Sequence, residues 1–271
     1  MTEPAPDPTD LLRQYDQVLR PYEMQMPSAH RRERVGPVAI GHYDGGRGFV
    51  SHQDLGGLDQ GGVRALVDEV VDRLVGDPTI TSFEWKTRGH DRAPGLVEAL
   101  TARGLVADEE ESVMIGPAEA LVGHEAPTAV TVRRVRTESE VRAAEAAASA
   151  VFGSPPEIEQ RMADELVRRV LSGADDLEMW VAEAGGEIIS SGRLEPVPGT
   201  PFAGIWGGST RADWRRRGVY RALTAARARS AMERGVRYIH SDSTEDSRPI
   251  LERSGLVRVT TTTPYEWSRP T

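Results

Sequence analysis

The chain has 271 residues, a formal net charge of −9 and no cysteine. The missing thiols exclude disulfides, thiolate nucleophiles and cysteine-based metal sites, and the acidic balance argues against general attraction to nucleic acid. With 38% hydrophobic and 28% charged residues it can bury the core of one large domain or two ordinary ones, and it holds no apolar run of the ~18 residues a membrane span needs.

Met1 to Pro8 is acidic and proline-rich, unlike a signal peptide, which predicts a disordered start over 1–8 and a cytoplasmic location. Thr9 to Tyr22 places Leu11, Leu12, Tyr15, Val18 and Leu19 on one helical side. Val38 to Tyr43 and Phe49 to Ser51 read as strands of a hairpin around Gly45-Gly46-Arg47-Gly48. Gly62 to Val75 is a helix with a wide apolar face, followed by a strand at Ser82 to Lys86. Pro94 to Arg103 reads as a helix stopped by Gly104, with short strands at Leu105 to Ala107 and Ser112 to Gly116.

After a linker at 117–128 the second half opens with a strand at Val130 to Val135 and a helix announced by the capping box Thr137-Glu138-Ser139-Glu140. Pro156 to Leu171 is amphipathic, and Met179 to Ala184 and Glu187 to Glu195 flank the hairpin signal Gly185-Gly186. A strand at Phe202 to Thr210, a helix from Gly218 to Gly235, a strand at Tyr238 to Ser243, a short helix at Ser247 to Ser254 and closing strands over Leu256 to Trp267 complete the chain. Arg227, Arg229 and Arg234 on the long helix are expected to point outward. Leu100 to Val106 parallels Leu251 to Val257, a repeat at an offset of about 150 residues that predicts two related domains, 9–116 and 129–271.

Between strand and helix stands Arg215-Arg216-Arg217-Gly218-Val219-Tyr220. The first N–H groups of a helix have no intrahelical partner and attract anions, glycine admits close approach to the backbone, and arginine offers planar donors to phosphate oxygens. The stretch resembles the coenzyme signature of the GNAT-type acetyltransferases, Gln/Arg-x-x-Gly-x-Gly/Ala, with Arg215 and Gly218 in place and Tyr220 departing from it. In element order the resemblance covers residues 129 to 268, and it implies an α/β (α+β) fold of two tandem GNAT-like domains, each a mixed, mostly antiparallel sheet flanked by helices. The N-terminal copy lacks an arginine-rich cradle at Asp54 to Gly62, so it is expected to be degenerate and to bind no coenzyme, shaping instead the substrate cleft or a homodimer interface.

The resemblance further implies acetyl-CoA as cosubstrate, no metal, and a small-molecule or peptide amine as acceptor. Arg215, Arg216, Arg217, Gly218, Val219, Tyr220 and Arg221 are the residues implied at the diphosphate, and Gly208, Ser209 and Thr210 at the pantetheine arm, with Thr244 and Ser247 nearby. Acetyl transfer to an amine needs a base, an oxyanion donor and a proton for the departing thiolate. Candidate bases are Glu195 and, on one face of their strand, His240 and Asp242; a backbone N–H near Gly208 or Ser209 is the candidate oxyanion donor. The family's tyrosine in the short final helix is replaced by Leu251-Glu252, which leaves Tyr265 as the candidate acid and keeps open a coenzyme-binding module without turnover. Acidic residues Glu157, Glu159, Asp164 and Glu165 suit a cationic amine.

Overall fold

The structure is a computed structural model that describes residues 7–174 and 176–270. Six of the eight residues expected to be disordered, 1–6, lie outside it, while Pro8 already opens helix α1 (Pro8–Gln14), a position where its missing N–H costs nothing. The helix continues through a wider π-helical turn at Tyr15–Leu19 into α2 (Arg20–Glu23). Then come β1 (Arg31–Val35), β2 (Val38–Tyr43), β3 (Arg47–Ser51), α3 (Gln60–Gly76), β4 (Ser82–Arg88), α4 (Leu96–Ala102), β5 (Val106–Ala107) and β6 (Glu111–Pro117). β1 has no counterpart in the sequence reading because Arg-Arg-Glu-Arg-Val offers one apolar residue and no alternation.

The remaining elements are β7 (Thr131–Val135), α5 (Glu138–Phe152), α6 (Pro156–Leu171), β8 (Glu178–Ala184), β9 (Glu187–Pro196), β10 (Phe202–Thr210), α7 (Val219–Glu233), β11 (Tyr238–Ser243), α8 (Arg248–Arg253) and β12 (Val257–Ser268). The capping box forms as expected: Thr137 accepts from Glu140 N–H, and the Glu140 carboxylate accepts from Thr137 N–H.

Two compact units result, but not by simple division of the chain. One contains Asp7–Val113, Asp242–Glu245 and the segment from Arg258 onward; the other contains Met114–Ser241 and Asp246–Val257. The closing strands, expected in the second domain, are instead the single strand β12, and its residues from Arg258 onward belong to the first unit, where Trp267 stacks on Phe83 at 5.3 Å and Tyr265 enters the core. The expected linker is also corrected: Ala118–Leu121 forms a 3-10 turn whose Ala118 and Leu121 are buried in the second unit's core, because apolar side chains spaced three apart face one way.

In the first unit the strand order is β1-β2-β3-β4-β12, with β5 on β12; β3 and β4 are parallel and the other pairs antiparallel. α3 lays Val63, Leu66, Val67, Val70, Val71 and Leu74 on this sheet against Phe83 and Trp85. Alternation sends Glu84, Lys86 and Arg88 to the opposite face of β4. There Arg88 donates to both Glu23 carboxylate oxygens at 2.7 Å and to the Tyr15 hydroxyl at 3.0 Å, and Lys86 pairs with Asp242.

In the second unit β7, β8, β9 and β10 are antiparallel neighbours, and β11 joins β10 in parallel. α5 and α6 share a core with β7 and β8 through Val141, Ala144, Leu166, Val167, Met179 and Val181. α7 approaches the sheet through alanines: Ala222, Ala225, Ala228 and Ala231 are all buried. Arg227 on the same face is 1% exposed, contrary to the expectation that it points to solvent, whereas Arg229 binds the carbonyls of Val122 and His124 and Arg234 binds Glu178.

Candidate active site

The chain enters α7 through two left-handed residues, Arg216 (φ 61°) and Gly218 (φ 83°). For arginine that conformation is unfavourable by ~1–2 kcal/mol, so the turn stores strain where the sequence reading places the cradle. At Gly218 the constraint is the dihedral alone, since a Cβ there would meet no atom within 4 Å. No side chain caps α7, and its first helical bond runs from Ala222 N–H to the Gly218 carbonyl at 3.0 Å. The preceding N–H groups therefore stand at the positive end of a four-turn helix with no intrahelical acceptor.

Arg215, Arg216 and Arg217 are exposed around this helix start. Arg215 Nε donates to the Thr210 carbonyl at 3.2 Å and ties the loop to the end of β10, and Arg217 lies over the Trp214 ring at 4.9 Å. Arg211, upstream, is committed to Glu187 (2.6 Å) and Asp213 (2.9 Å). Val219 is buried among Val130, Ala182 and Ile189, so only its backbone faces the loop, while the Arg221 side chain is exposed.

β10 is held differently on its two edges. Toward β11 the register covers Phe202 to Gly204 against Tyr238 to His240; toward β9 pairing continues to Thr210, interrupted by a bulge between Trp206 and Ser209. Among the described residues the β11-side edge thus has no strand partner after Gly204. The bulge consists of Gly207 (φ 58°) and Gly208, both exposed, and a Cβ on Gly208 would lie 2.7 Å from the Tyr220 ring. Ser209 is turned inward, its hydroxyl 3.0 Å from that of Ser191, and the Thr210 hydroxyl is 3.0 Å from Ser190. A surface groove next to it is lined by Tyr220, Arg221 and Thr224 of α7 and by Ile250, Leu251 and Ser254, with Leu121 and His124.

The expected catalytic side chains fall in three places. Glu195, opposite Gly204, is engaged by Arg169 at 2.9 Å and Arg193 at 3.4 Å, which leaves a carboxylate already shared by two cations. His240 ends the β10–β11 register, with its ring edge-on to Trp206 (5.2 Å) and Phe202 (6.4 Å). Tyr265 packs in the first unit's core, where burial pushes its phenol above the ordinary value; its strand partners are Trp85 and Ala107, not the cradle residues. Asp242 is paired with Lys86, and Thr244 follows it in the first unit. Ser247 is the N-cap of α8, its carbonyl accepting from Ile250 and Leu251. On α5 and α6 Asp164 pairs with Arg142 at 2.8 Å, and Glu145, inside an alanine-rich run and absent from the sequence reading, is buried and raised in pKa by that burial, with Arg193 opposing.

Comparison with known proteins gives this geometry a family context. Residues 144–255 match the acetyltransferase (GNAT) family. No curated protein matches the chain. Among solved structures it is similar to a GCN5-related N-acetyltransferase from Kribbella flavida (16% identity, TM-score 0.67, covering 93% of this chain and 95% of that one). A second, from Sphaerobacter thermophilus, has 17% identity and TM-score 0.60, covering 98% and 95% of the two chains. A tandem GNAT protein from the clavulanic acid biosynthesis pathway has 12% identity and TM-score 0.59, covering 86% and 79%. At these identities the likeness is one of fold.

Proposed function

We propose, from the premise that residues 144–255 form an acetyltransferase (GNAT) domain, that the protein is an N-acetyltransferase moving the acetyl group of acetyl-CoA to a primary amine of a small molecule or peptide. The observation that carries this reading is the conjunction of an uncapped, arginine-flanked helix start with a bulged strand that is open along one edge. Backbone N–H groups of Arg217 to Arg221, with the exposed guanidinium groups, would hold the diphosphate, each favourable charge–dipole contact contributing about 0.3–1 kcal/mol. Main-chain groups of Ile205 to Thr210 on the free edge are of the kind an amide-bearing arm can pair with, as a further strand would.

Bound acetyl-CoA supplies an acetyl thioester. The chain's own part is to fix that group in place, to offer a bulge N–H at Gly208 or Ser209 to the developing oxyanion, and to accept the amine proton. His240 is the base in this reading, since it stands where β10 and β11 part while Glu195 is shared between two arginines.

The test is calorimetry with acetyl-CoA and CoA, followed by thiol release over a panel of small amines and peptide N-termini. Micromolar binding with amine-dependent release is expected, and no binding overturns the reading. Binding without release on any amine favours a coenzyme-binding module, for which the support is that α8 reads Leu251-Glu252 where the resemblance to the family implies a tyrosine.

A further inference from the structure

Arg227 of α7 is buried beneath the bulged region of the sheet. Its Nη1 donates to the Arg193 carbonyl and its Nη2 to the Thr224 hydroxyl, both at 3.1 Å, and its Nε reaches the Leu223 carbonyl at 3.4 Å. Gly192 lies across from Gly207 and Gly208, because the register steps from Trp206↔Arg193 to Ser209↔Ser191. A Cβ on Gly192 would lie 2.7 Å from Nη1, so the residue facing the bulge must stay bare to admit the guanidinium. Alternation sends the next side chain, Arg193, to the other face, where its guanidinium carbon is 3.6 Å from where a Cβ on Gly207 would stand and its Nη1 is 3.9 Å from the Met162 sulfur. A cation thus flanks the bulge on each face of the sheet.

The two are balanced differently. Arg193 lies 3.4 Å from the Glu195 carboxylate, much as Arg134 and Arg234 share Glu178 and Arg133 is held by Glu140 and Glu183. Among the described residues Arg227 pairs with no carboxylate, and its acceptors are two carbonyls and a hydroxyl. Burial lowers its proton affinity, but a guanidinium starts so far above neutrality that it stays charged. A buried charge without a counter-charge is costly, and an apolar side chain of similar length would fill the space without that cost. Packing therefore accounts for the length of Arg227 and not for its charge. The same low dielectric that makes the charge costly carries its field to the bulge with little screening.

We propose that Arg227 supplies, from beneath the bulge, a positive field that stabilises the negative charge developing on the acetyl oxygen, an assignment that rests on the acetyl-CoA reading above. As the amine nitrogen bonds to the acetyl carbon, the carbonyl π pair moves onto oxygen. A bulge N–H donates to that oxygen, and the guanidinium beneath β9 lowers the energy of its charge. When the carbon–oxygen double bond re-forms, the carbon–sulfur bond breaks and its electron pair leaves on sulfur, which takes a proton from solvent; the amine proton goes to the base. Arg227 is a positioning residue that acts through the bulge and touches no reacting atom.

An equilibrium experiment reads the field independently of turnover. S-carboxymethyl-CoA, which puts a carboxylate in place of the acetyl group, and the neutral S-acetonyl-CoA are titrated calorimetrically into the wild-type protein, Arg227→Met, Arg227→Lys and Gly192→Ala. The ratio of anionic to neutral affinity is expected to fall on the order of 10-fold in Arg227→Met and by less in Arg227→Lys, which keeps a charge. Gly192→Ala keeps the guanidinium but pushes it from the bulge, and should lower the ratio about 3-fold. A residue that only packs would weaken both analogues alike and leave the ratio as it is. In thiol release, Arg227→Met should lose kcat on the order of 10-fold with little change in KM for acetyl-CoA. A melting curve shows whether the Met variant folds, and Gly192→Ala gives the answer where it does not. An unchanged ratio in the variant that decides overturns the assignment, whereas a wild-type protein that binds neither analogue overturns the proposed function itself.

Discussion

The two units contain the same strand–helix–strand crossover with opposite chemistry at the helix start. In the first, β3 and β4 pair in parallel from Arg47↔Ser82 to Val50↔Trp85, and β3 ends one residue later. In the second, β10 leaves its parallel partner after Gly204 and runs six residues further. α3 is capped by its own Asp59, whose carboxylate accepts from Gly62 N–H at 2.8 Å, whereas α7 has no side-chain cap and three exposed arginines before it. A carboxylate that satisfies the helix start from within leaves nothing for an external anion. The shared crossover thus serves as scaffold in one unit and as a candidate binding site in the other, and the difference lies in a few residues of turn and strand edge.

The comparison is broken most severely by Gly208→Val. Overpacking against Tyr220 costs ~1–3 kcal/mol, and acetyl-CoA affinity measured by calorimetry should fall on the order of 10–100-fold while the melting temperature changes by only a few degrees. Removing Arg215 and Arg217 together should weaken binding by about 10-fold at low ionic strength and less at high, without unfolding the protein. Gly218→Val, forced out of the left-handed region at ~1–2 kcal/mol, belongs to the same range. Unchanged affinity in both would remove the cradle from the proposed function.

The sequence made the crossover and the signature legible because both are local: periodicity, capping residues and glycine positions lie within one turn of the residues they govern. α6, β10 and β11 occur at the bounds their patterns predict. What it did not disclose depends on contacts far along the chain. Arg227 reads as one more solvated arginine until Gly192 and the Arg193 carbonyl are seen to receive it, and Tyr265 reads as a catalytic candidate until Phe83, Trp85 and Trp267 claim its strand. Tyr220 looked like a defect in a motif, and only its contact with Gly208 gives the ring a place.

Smaller effects sharpen the contrast from the first unit. Asp59→Ala should cost about 1 kcal/mol of stability by loss of the cap and leave acetyl-CoA affinity unaltered, read by denaturation and calorimetry on one variant. Glu111 gives a pH test. Burial, with Asp242 adding repulsion, lifts its carboxyl from 4.5 to about 7, so the folded state holds this proton more tightly than the unfolded chain. The stability this contributes is fully present below pH 4.5 and lost as pH rises through 7. Glu111→Gln should therefore raise the melting temperature at pH 8 and leave it unchanged near pH 4; an equal rise at both would mean that its titration is not involved.

β12 pairs Thr262 to Ser268 with Arg88 to Ser82, and Arg269 then donates to the carbonyls of Val75, Asp77 and Ile80. The strand that completes the first unit is thus made after the second unit's cradle, helices and sheet. During synthesis the emerging N-terminal half waits with one edge of β4 unpaired, so the first unit reaches its final form only when the ribosome has delivered β12. A fragment stopped after α8 would carry every residue of the proposed cradle and still leave that edge without its strand.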